Sequence, residues 1–383
     1  MSEEHQLSAK SRQEVIEKRR HQYLRGGRQT KSRILDELEE LTGRHRKHLT
    51  RVLRQGYKLR RRRRGRPRSY RGETVRQLVK IWHIYGCICG KRLQPFLAEG
   101  IAVLERHGEL TLDEETRTEL LKMSAATIDR YLKAYRDGDR RGKTTTRPGV
   151  LLKHSIPIRT FADWDEAQPG FVEMDLVAHC GPTTAGFYLN TLTAVDVCSG
   201  WTECLVLPHR TREEVVTTLT ALRQQFPVPL QGIDCDNDAL FINARLKEYC
   251  EKEELTFTRS RPYKKNDQAF VEQKNGDVVR RYVGYGRYNG PLATQLFRQL
   301  YADLRLYINF FQPVRKLVFK ERRGATVHKK YDRAQTPYQR LLNAQQVERK
   351  DKLHLSQLYL SLNPVQLQRR IDITLKKLWL SAE

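Results

Sequence analysis

Five acids stand out because of where they fall. The segment G-I-D-C-D-N-D-A-L-F-I-N, residues 232–243, carries Asp234, Asp236 and Asp238 at every second position, in and just beyond a short apolar run. Asp175 interrupts another apolar run, V-E-M-D-L-V, and Glu272 opens a helical pattern in A-F-V-E-Q-K-N. Buried carboxylates lose hydration and repel one another, so a converging set needs cations. Their oxygens are hard ligands suited to Mg²⁺ or Mn²⁺, and an incomplete protein cage leaves room for water and phosphate oxygens. Two such ions about 3.5–4 Å apart can activate an attacking oxygen and stabilise a leaving one. Taken singly, each acid has a plainer reading: Asp175 as a satisfied strand-end acid, Glu272 as a solvated helix residue. Asp196, in A-V-D-V-C-S-G-W, is a further acid in a strand-like run.

The surrounding sequence supplies the elements that must position them. F-V-E-M-D-L-V-A-H-C, G-F-Y-L-N-T-L-T-A-V-D-V-C-S-G and W-T-E-C-L-V-L-P-H are strand-like. G-P-T-T-A-G separates the first two, and Ser199-Gly200 joins the last two. T-R-E-E-V-V-T-T-L-T-A-L-R-Q-Q-F is an amphipathic helix with Val215, Leu219 and Leu222 on one face. P-L-Q-G-I-D-C-D and L-T-F-T-R-S read as strands, and N-D-Q-A-F-V-E-Q-K-N-G-D-V-V-R-R-Y-V-G as a helix. The order β-β-β-α-β-α-β-α is that of a ribonuclease-H-like α/β fold, a mixed sheet flanked by helices. In that fold the first and fourth strands are neighbours. Asp175 and Asp236 then meet across the sheet, and the last helix can bring Glu272 to them. Asp196 lies on the strand beside the first, away from the meeting point.

Between Asp236 and Glu272 there are 35 residues. With this spacing the sequence resembles the DDE superfamily of bacterial insertion-sequence transposases and retroviral-type integrases. The second motif of that family commonly reads D-N-G-S-E-F-x-N. Here Asp236, Asn237, Phe241 and Asn243 match it, and Asn266 fits the Asn that precedes the Glu of the third motif. T-P-Y-Q-R-L-L, residues 336–342, adds to the resemblance, which covers about residues 165–345. The spacing selects Asp236 among the three aspartates. Asp238 takes the family's glycine position, where the chain turns, and Asp tolerates such backbone angles better than most residues. Asp234 shares strand parity with Asp236 and is placed beside the site as a supporting acid. Ala239 and Leu240 replace the common Ser-Glu. The resemblance implies that Asp175, Asp236 and Glu272 hold two Mg²⁺ or Mn²⁺ ions per active site. It also implies DNA strand transfer without a covalent protein intermediate: cleavage at an element's end frees a 3′-OH, which attacks a target phosphodiester in line. Lys264, Lys265 and Lys274 flank Glu272 as candidate phosphate contacts, and Gln273 and Asn275 as candidate base or backbone contacts; the plain alternative is solvated side chains.

Charge points the same way. The 383 residues include 71 Lys and Arg against 45 Asp and Glu, a net +26. Such an excess favours a polyanionic partner. Residues 1–150 carry 37 basic and 19 acidic side chains, the remainder 34 and 26. Residues 1–58 read as a helix-turn-helix domain. Around Thr42-Gly43, Ile34, Leu35, Leu38 and Leu41 form one apolar stripe and Leu49, Val52 and Leu53 the next. Arg44, Arg46, Lys47 and Arg51 fall on the second helix as candidate DNA contacts. Residues 59–70 form an arginine-rich linker, with seven arginines between 60 and 68. Arg61, Arg62, Arg63 and Arg64 read as phosphate contacts, and Arg66 and Arg68 in G-R-P-R resemble an AT-hook for the narrow minor groove of A·T-rich DNA. Residues 71–137 read as a second helical DNA-binding domain, with Ser124 capping another recognition helix. Next come a linker at 138–160, the catalytic core at 161–310, a small basic β region at 311–343 turning near Gly324, and a C-terminal helical segment at 344–383.

No run approaches the ~18 apolar residues that span a membrane, and the N-terminus lacks an apolar signal core. The 7 cysteines show no C-x-x-C spacing, in keeping with reduced thiols and a cytoplasmic, nucleoid-associated location. Cys87 and Cys89 could join His45 and His48 around zinc, but isolated C-x-C and H-x-x-H are weak signals. The expected partners are double-stranded DNA, as element ends and as target, and further copies of the chain, because joining two ends takes more than one protomer. An ATPase helper is compatible with the sequence. Two other readings share these features: a resolvase-type nuclease that only hydrolyses, and a transposase-derived regulator that binds DNA without catalysis.

Overall fold

The computed structural model describes residues 8–56, 70–136, 168–261 and 268–383. The chain divides into two compact units between Ser69 and Tyr70.

The first unit has three helices, α1 (Ala9–Arg25), α2 (Arg28–Thr42) and α3 (Arg46–Gln55). Ile16 and Tyr23 of α1 join Ile34, Leu35, Leu38, Leu49, Val52 and Leu53 in one apolar core. Gly43 ends α2 at φ +60°, a left-handed cap that costs glycine little. His45 then starts α3, its Nδ1 accepting the Lys47 N–H at 3.2 Å. Leu41, expected in the apolar stripe, is 54% exposed. Thr42 takes the core position four residues after Leu38, its hydroxyl donating to the Leu38 carbonyl at 2.6 Å.

The second unit opens with α4 (Gly72–Ile84), α5 (Gly90–Arg106), α6 (Glu114–Lys122) and α7 (Ala125–Leu132). Ser124 caps α7, accepting the Thr127 N–H at 3.2 Å. These helices share one hydrophobic core with the α/β body that follows. Tyr307 donates to the Ile84 carbonyl at 2.6 Å and Gln312 to that of Tyr85 at 2.9 Å. The helices expected as a second DNA-binding domain and the expected catalytic core therefore belong to one compact unit.

The body comprises β1 (Phe171–Ala178), β2 (Asn190–Asp196), β3 (Thr202–Leu207), α8 (Arg212–Gln225), β4 (Gly232–Cys235), α9 (Ala244–Lys252), β5 (Thr256–Arg259) and α10 (Ala269–Lys274). After α10 the chain winds as a π-helix over Asn275–Arg280 into α11 (Arg281–Val283), and the long α12 (Gly290–Phe311) follows. The sheet order is β3-β2-β1-β4-β5. β2 runs antiparallel to β1 and β3, whereas β1, β4 and β5 are parallel. This is the ribonuclease-H-like mixed sheet expected from the order of elements. Gly232 begins β4 where a Cβ would lie 2.4 Å from the Phe171 ring and 2.7 Å from the Thr256 carbonyl oxygen, so only glycine lets the three parallel strands start together.

Beyond α12, β6 (Leu317–Arg323) and β7 (Thr326–Tyr331) form a two-stranded ribbon around Gly324. Then come α13 (Pro337–Asn343), α14 (Arg349–Ser361) and α15 (Pro364–Leu380). The T-P-Y-Q-R-L-L segment proves to be a helix start: Thr336 and Gln339 form a reciprocal capping box with Pro337 in the first turn. Among the described residues no helix is long and apolar enough to cross a membrane.

Candidate active site

Parallel pairing of β1 with β4 sets Glu173 opposite Asp234 and Met174 opposite Cys235. The next step along both strands sets Asp175, midway along β1, beside Asp236, which directly follows the end of β4, on the sheet face that also carries Glu173 and Asp234. Both ligand candidates are half-buried. Burial, then the Asp236 charge and more weakly those of Glu272 and Asp238, push Asp175 up to about 8. Burial also pushes Asp236 up to about 6, opposed by an N–H from Asp238. Leu176 N–H donates to one oxygen of Asp175 and Asn275 Nδ2 to the other, each at 2.7 Å. Asp236 Oδ1 accepts the Asp238 N–H at 2.9 Å. Glu272 is exposed on α10. Asn275 follows it by three residues, so both lie on one side of the turn that faces Asp175.

The other residues of the aspartate segment shape the turn. Asp238 pairs with Arg210, and its Oδ1 accepts the Leu240 N–H at 2.9 Å. Asn237 donates to the Ser260 carbonyl at 2.9 Å and accepts from Arg259 at 3.1 Å, which ties the end of β4 to that of β5. Phe241 is fully buried, and Asn243 caps α9 through the Leu246 N–H at 3.0 Å. Asp196 closes the β2–β3 turn, accepting from Ser199 N at 2.6 Å and Ser199 Oγ at 2.5 Å. It stands opposite Val172, whereas Asp175 faces Thr193, so it belongs to the other end of the sheet.

The candidate DNA contacts divide. Lys47 and Arg51 are exposed on α3; Arg44 is exposed too, but in the turn ahead of that helix. Arg46 is engaged within its own unit, pairing with Asp36 and donating to Ser32 Oγ at 2.7 Å, which holds α3 to α2. Lys274 is half-buried; burial and then the Arg92 charge bring its ammonium down to about 8. Arg61, Arg62, Arg63, Arg64, Arg66, Arg68, Lys264, Lys265 and Asn266 lie outside the described residues.

Among the described residues no group of three or more His, Cys, Asp or Glu side chains is arranged to hold a metal ion. His45 serves as a helix cap. The chemistry of Asp175 and Asp236 nevertheless fits a divalent cation. They offer hard oxygens from two neighbouring strands, and the burial and repulsion that raise Asp175 are what a cation relieves.

Comparison with known proteins bears on the same segment. Residues 165–265 match the family model described as "Integrase core domain", which takes in Asp175 and Asp236 and stops short of Glu272. "Uncharacterized protein y4rM" of Sinorhizobium fredii (strain NBRC 101917 / NGR234) is 45% identical over 329 residues, covering 85% of this chain and 93% of that protein. The chain belongs to the integrase-core family. Among solved structures, the catalytic core domain of BIV integrase is 19% identical to this integrase-core protein, covering 44% of it and 91% of the other chain with a TM-score of 0.27. Proteins of the DDE transposase/integrase type are in general phosphoryl-transfer enzymes that bind DNA and use divalent metals.

Three residues of the site escaped the sequence reading in these roles. Arg210 and Asn275 reach Asp238 and Asp175 from elsewhere in the chain. Glu173 did leave a signal: Glu173-x-Asp175 repeats the acid-x-acid pattern of Asp234-x-Asp236.

Proposed function

We propose that this integrase-core protein is a transposase that cleaves DNA at the 3′ ends of a mobile element and joins them to target DNA, with Asp175, Asp236 and Glu272 as its catalytic metal ligands. The observation that carries the reading is the pair of half-buried carboxylates side by side on neighbouring parallel strands, Asp175 raised by burial and then by the charge of Asp236, with Glu272 in electrostatic reach. Two divalent ions, when bound, would supply charge neutralisation at the attacking and leaving oxygens of the phosphodiester. The chain's own residues do the positioning. Asn275 fixes the Asp175 carboxylate, and the Asp238–Arg210 pair fixes the turn that presents Asp236. Phosphoryl transfer needs little more from a protein than placement and charge.

Exposed Lys47 and Arg51 on α3 support recognition of the element's ends, together with Arg44 and the arginines at 60–68. Exposed Arg323, Lys329 and Lys330 on the β6–β7 ribbon offer a second basic surface. Its partners on this reading are end and target DNA in the cytoplasm and a second protomer for the second end.

The test is incubation with Mg²⁺ or Mn²⁺, DNA bearing the inverted repeats that flank the gene, and a plasmid target. Joined products are expected, and Asp236→Asn should bind ends without joining them. Cleavage with no joining would make the protein a resolvase-type nuclease. Binding alone, under all conditions, would make it a regulator. Either result sinks the proposal.

A further inference from the structure

Each of the two aspartate ligand candidates follows by two residues an acid on a central strand, and both earlier acids, Glu173 on β1 and Asp234 on β4, are fully buried. We propose that these acids, Glu173 and Asp234, are positioning residues that set the helix bearing Glu272 against Asp175 and Asp236. The inference rests on the assignment of those three acids made above.

The hydrogen bonds of α10 carry it. A helix start leaves N–H groups without intrahelical partners, and a side chain at the N-cap ordinarily takes one of them. Gln268, the N-cap of α10, makes no such bond. The acceptor comes from the sheet: Glu173 Oε2 receives the Phe270 N–H at 3.0 Å and the Val271 N–H at 2.9 Å. Val271 is the residue next to Glu272. Gln268 instead turns its amide to Asp234, donating to Oδ2 at 3.3 Å, while Thr258 donates to Oδ1 at 2.6 Å. The helix start is therefore tethered to both central strands.

Capping alone does not explain two fully buried acids. A Ser or Asp at position 268 would cap the helix without desolvating a carboxylate in the sheet. What the sheet-borne acids add is a fixed distance. Glu173 and Asp175 share β1, and Asp236 directly continues the β4 strand of Asp234; each pair is two residues or roughly 6.6 Å apart and points to the same face. A short rigid segment thus links the cap to Asp175, and a second links Gln268 to Asp236. The geometry of Glu272 relative to both aspartates is set by these two segments. Placement at this level has a large effect on rate: a 1 Å error can cost about 10²-fold.

The experiment compares Glu173→Ala, which removes the acceptor, with Glu173→Gln, which retains a carbonyl oxygen there. Two readouts are taken on the full-length protein. Amide hydrogen exchange over residues 268–275 is followed in chelator, and the Mn²⁺ concentration for half-maximal end cleavage is measured. Glu173→Ala should exchange about tenfold faster or more over that segment, need more Mn²⁺ and cleave on the order of 10²-fold more slowly, with end binding unchanged. Glu173→Gln should restore the protection and most of the rate. Wild-type exchange and Mn²⁺ demand in Glu173→Ala would overturn the proposal. So would Glu173→Gln as impaired as the alanine variant, since the charge rather than the cap would then matter. Should Glu173→Ala fail to fold, Glu173→Asp withdraws the carboxylate by one methylene and is judged by the same two outcomes. The exchange readout needs no turnover, so a loosened helix start in a protein that never cleaves DNA would refute the transposase reading and leave the tether standing.

Discussion

On α3, Lys47 and Arg51 stand exposed above the buried side chains of Leu49, Val52 and Leu53. On the central strands of the sheet, Glu173 and Asp234 are buried completely, and beside them Asp175 and Asp236 are buried enough to be pushed toward protonation. Both regions crowd like charges, at very different cost. Exposed cations are screened by water and salt, so their positions can vary while the total does the work. Buried carboxylates carry a desolvation penalty that persists at every pH where they ionise. One region should therefore lose function gradually as charges are removed, and the other at a single atom.

The largest expected effect tests the second half of that contrast. Asp175→Asn or Asp236→Asn should lower end cleavage on the order of 10³-fold or more while leaving end binding intact, as read by gel assays for products and for complexes. Asp238→Asn should keep measurable cleavage, because its bonds to Arg210 and Leu240 shape the turn only. An active Asp236→Asn beside a dead Asp238→Asn would mean that the wrong aspartate has been assigned.

The graded half comes next. Lys47→Ala with Arg51→Ala should weaken end binding about tenfold and flatten its salt dependence by about 0.9 log units per log salt for each phosphate no longer neutralised. Cleavage at saturating protein should hardly change. Arg46→Ala should act differently although it sits between them in kind. Losing Asp36 and Ser32 as partners should cost the amino-terminal helices about 1 kcal/mol and appear as an earlier first melting transition, not as a change in salt slope.

The smallest effect concerns pH. A carboxyl held above its ordinary range binds its proton more tightly folded than unfolded, so stability falls as pH rises between the two values. In chelator the protein should lose stability from about pH 4 to about pH 8 on account of Asp175. Asp175→Asn should flatten that decline and melt about 2–4 °C higher than wild type at pH 8. A lower melting point there would show that Asp175 is stabilising as an anion and is not held in a repulsive pair.

What could be read in advance follows the range of each interaction. The strands of the core are legible because apolar runs bounded by Gly, Pro and Ser are local signals, and Asp236 because its spacing from Glu272 is fixed along the chain. Helix α1 left little trace: its core contacts are Ile16 and Tyr23, seven residues apart in a polar stretch, too sparse for a periodicity. The role of Glu173 was hidden for another reason. Its partners lie 97 and 98 residues downstream, and nothing local marks a strand acid as a helix cap. The same holds for the packing of α4 on the body, whose bonds from Tyr307 and Gln312 to Ile84 and Tyr85 span more than 200 residues of sequence.

The π-helical stretch Asn275–Arg280 has a consequence for how such a protein can be lost or repaired. Arg281 N–H reaches back five residues to the Gly276 carbonyl, which gives this turn one residue more than an α-helix would have. At its start Asn275 meets Asp175, and from its middle onward Val278, Val279 and Val283 pack into the core. The extra residue lets these two stretches keep separate rotational phases. Deleting the Gly276 codon would close the turn and rotate one stretch against the other by about 100°. Such an allele would retain all its acids, the full interval from Asp236 to Glu272 and its net charge. It should still bind element ends in a gel assay while joining none of them, a silent lesion to any search that reads spacing, and one that reinserting a single residue should reverse.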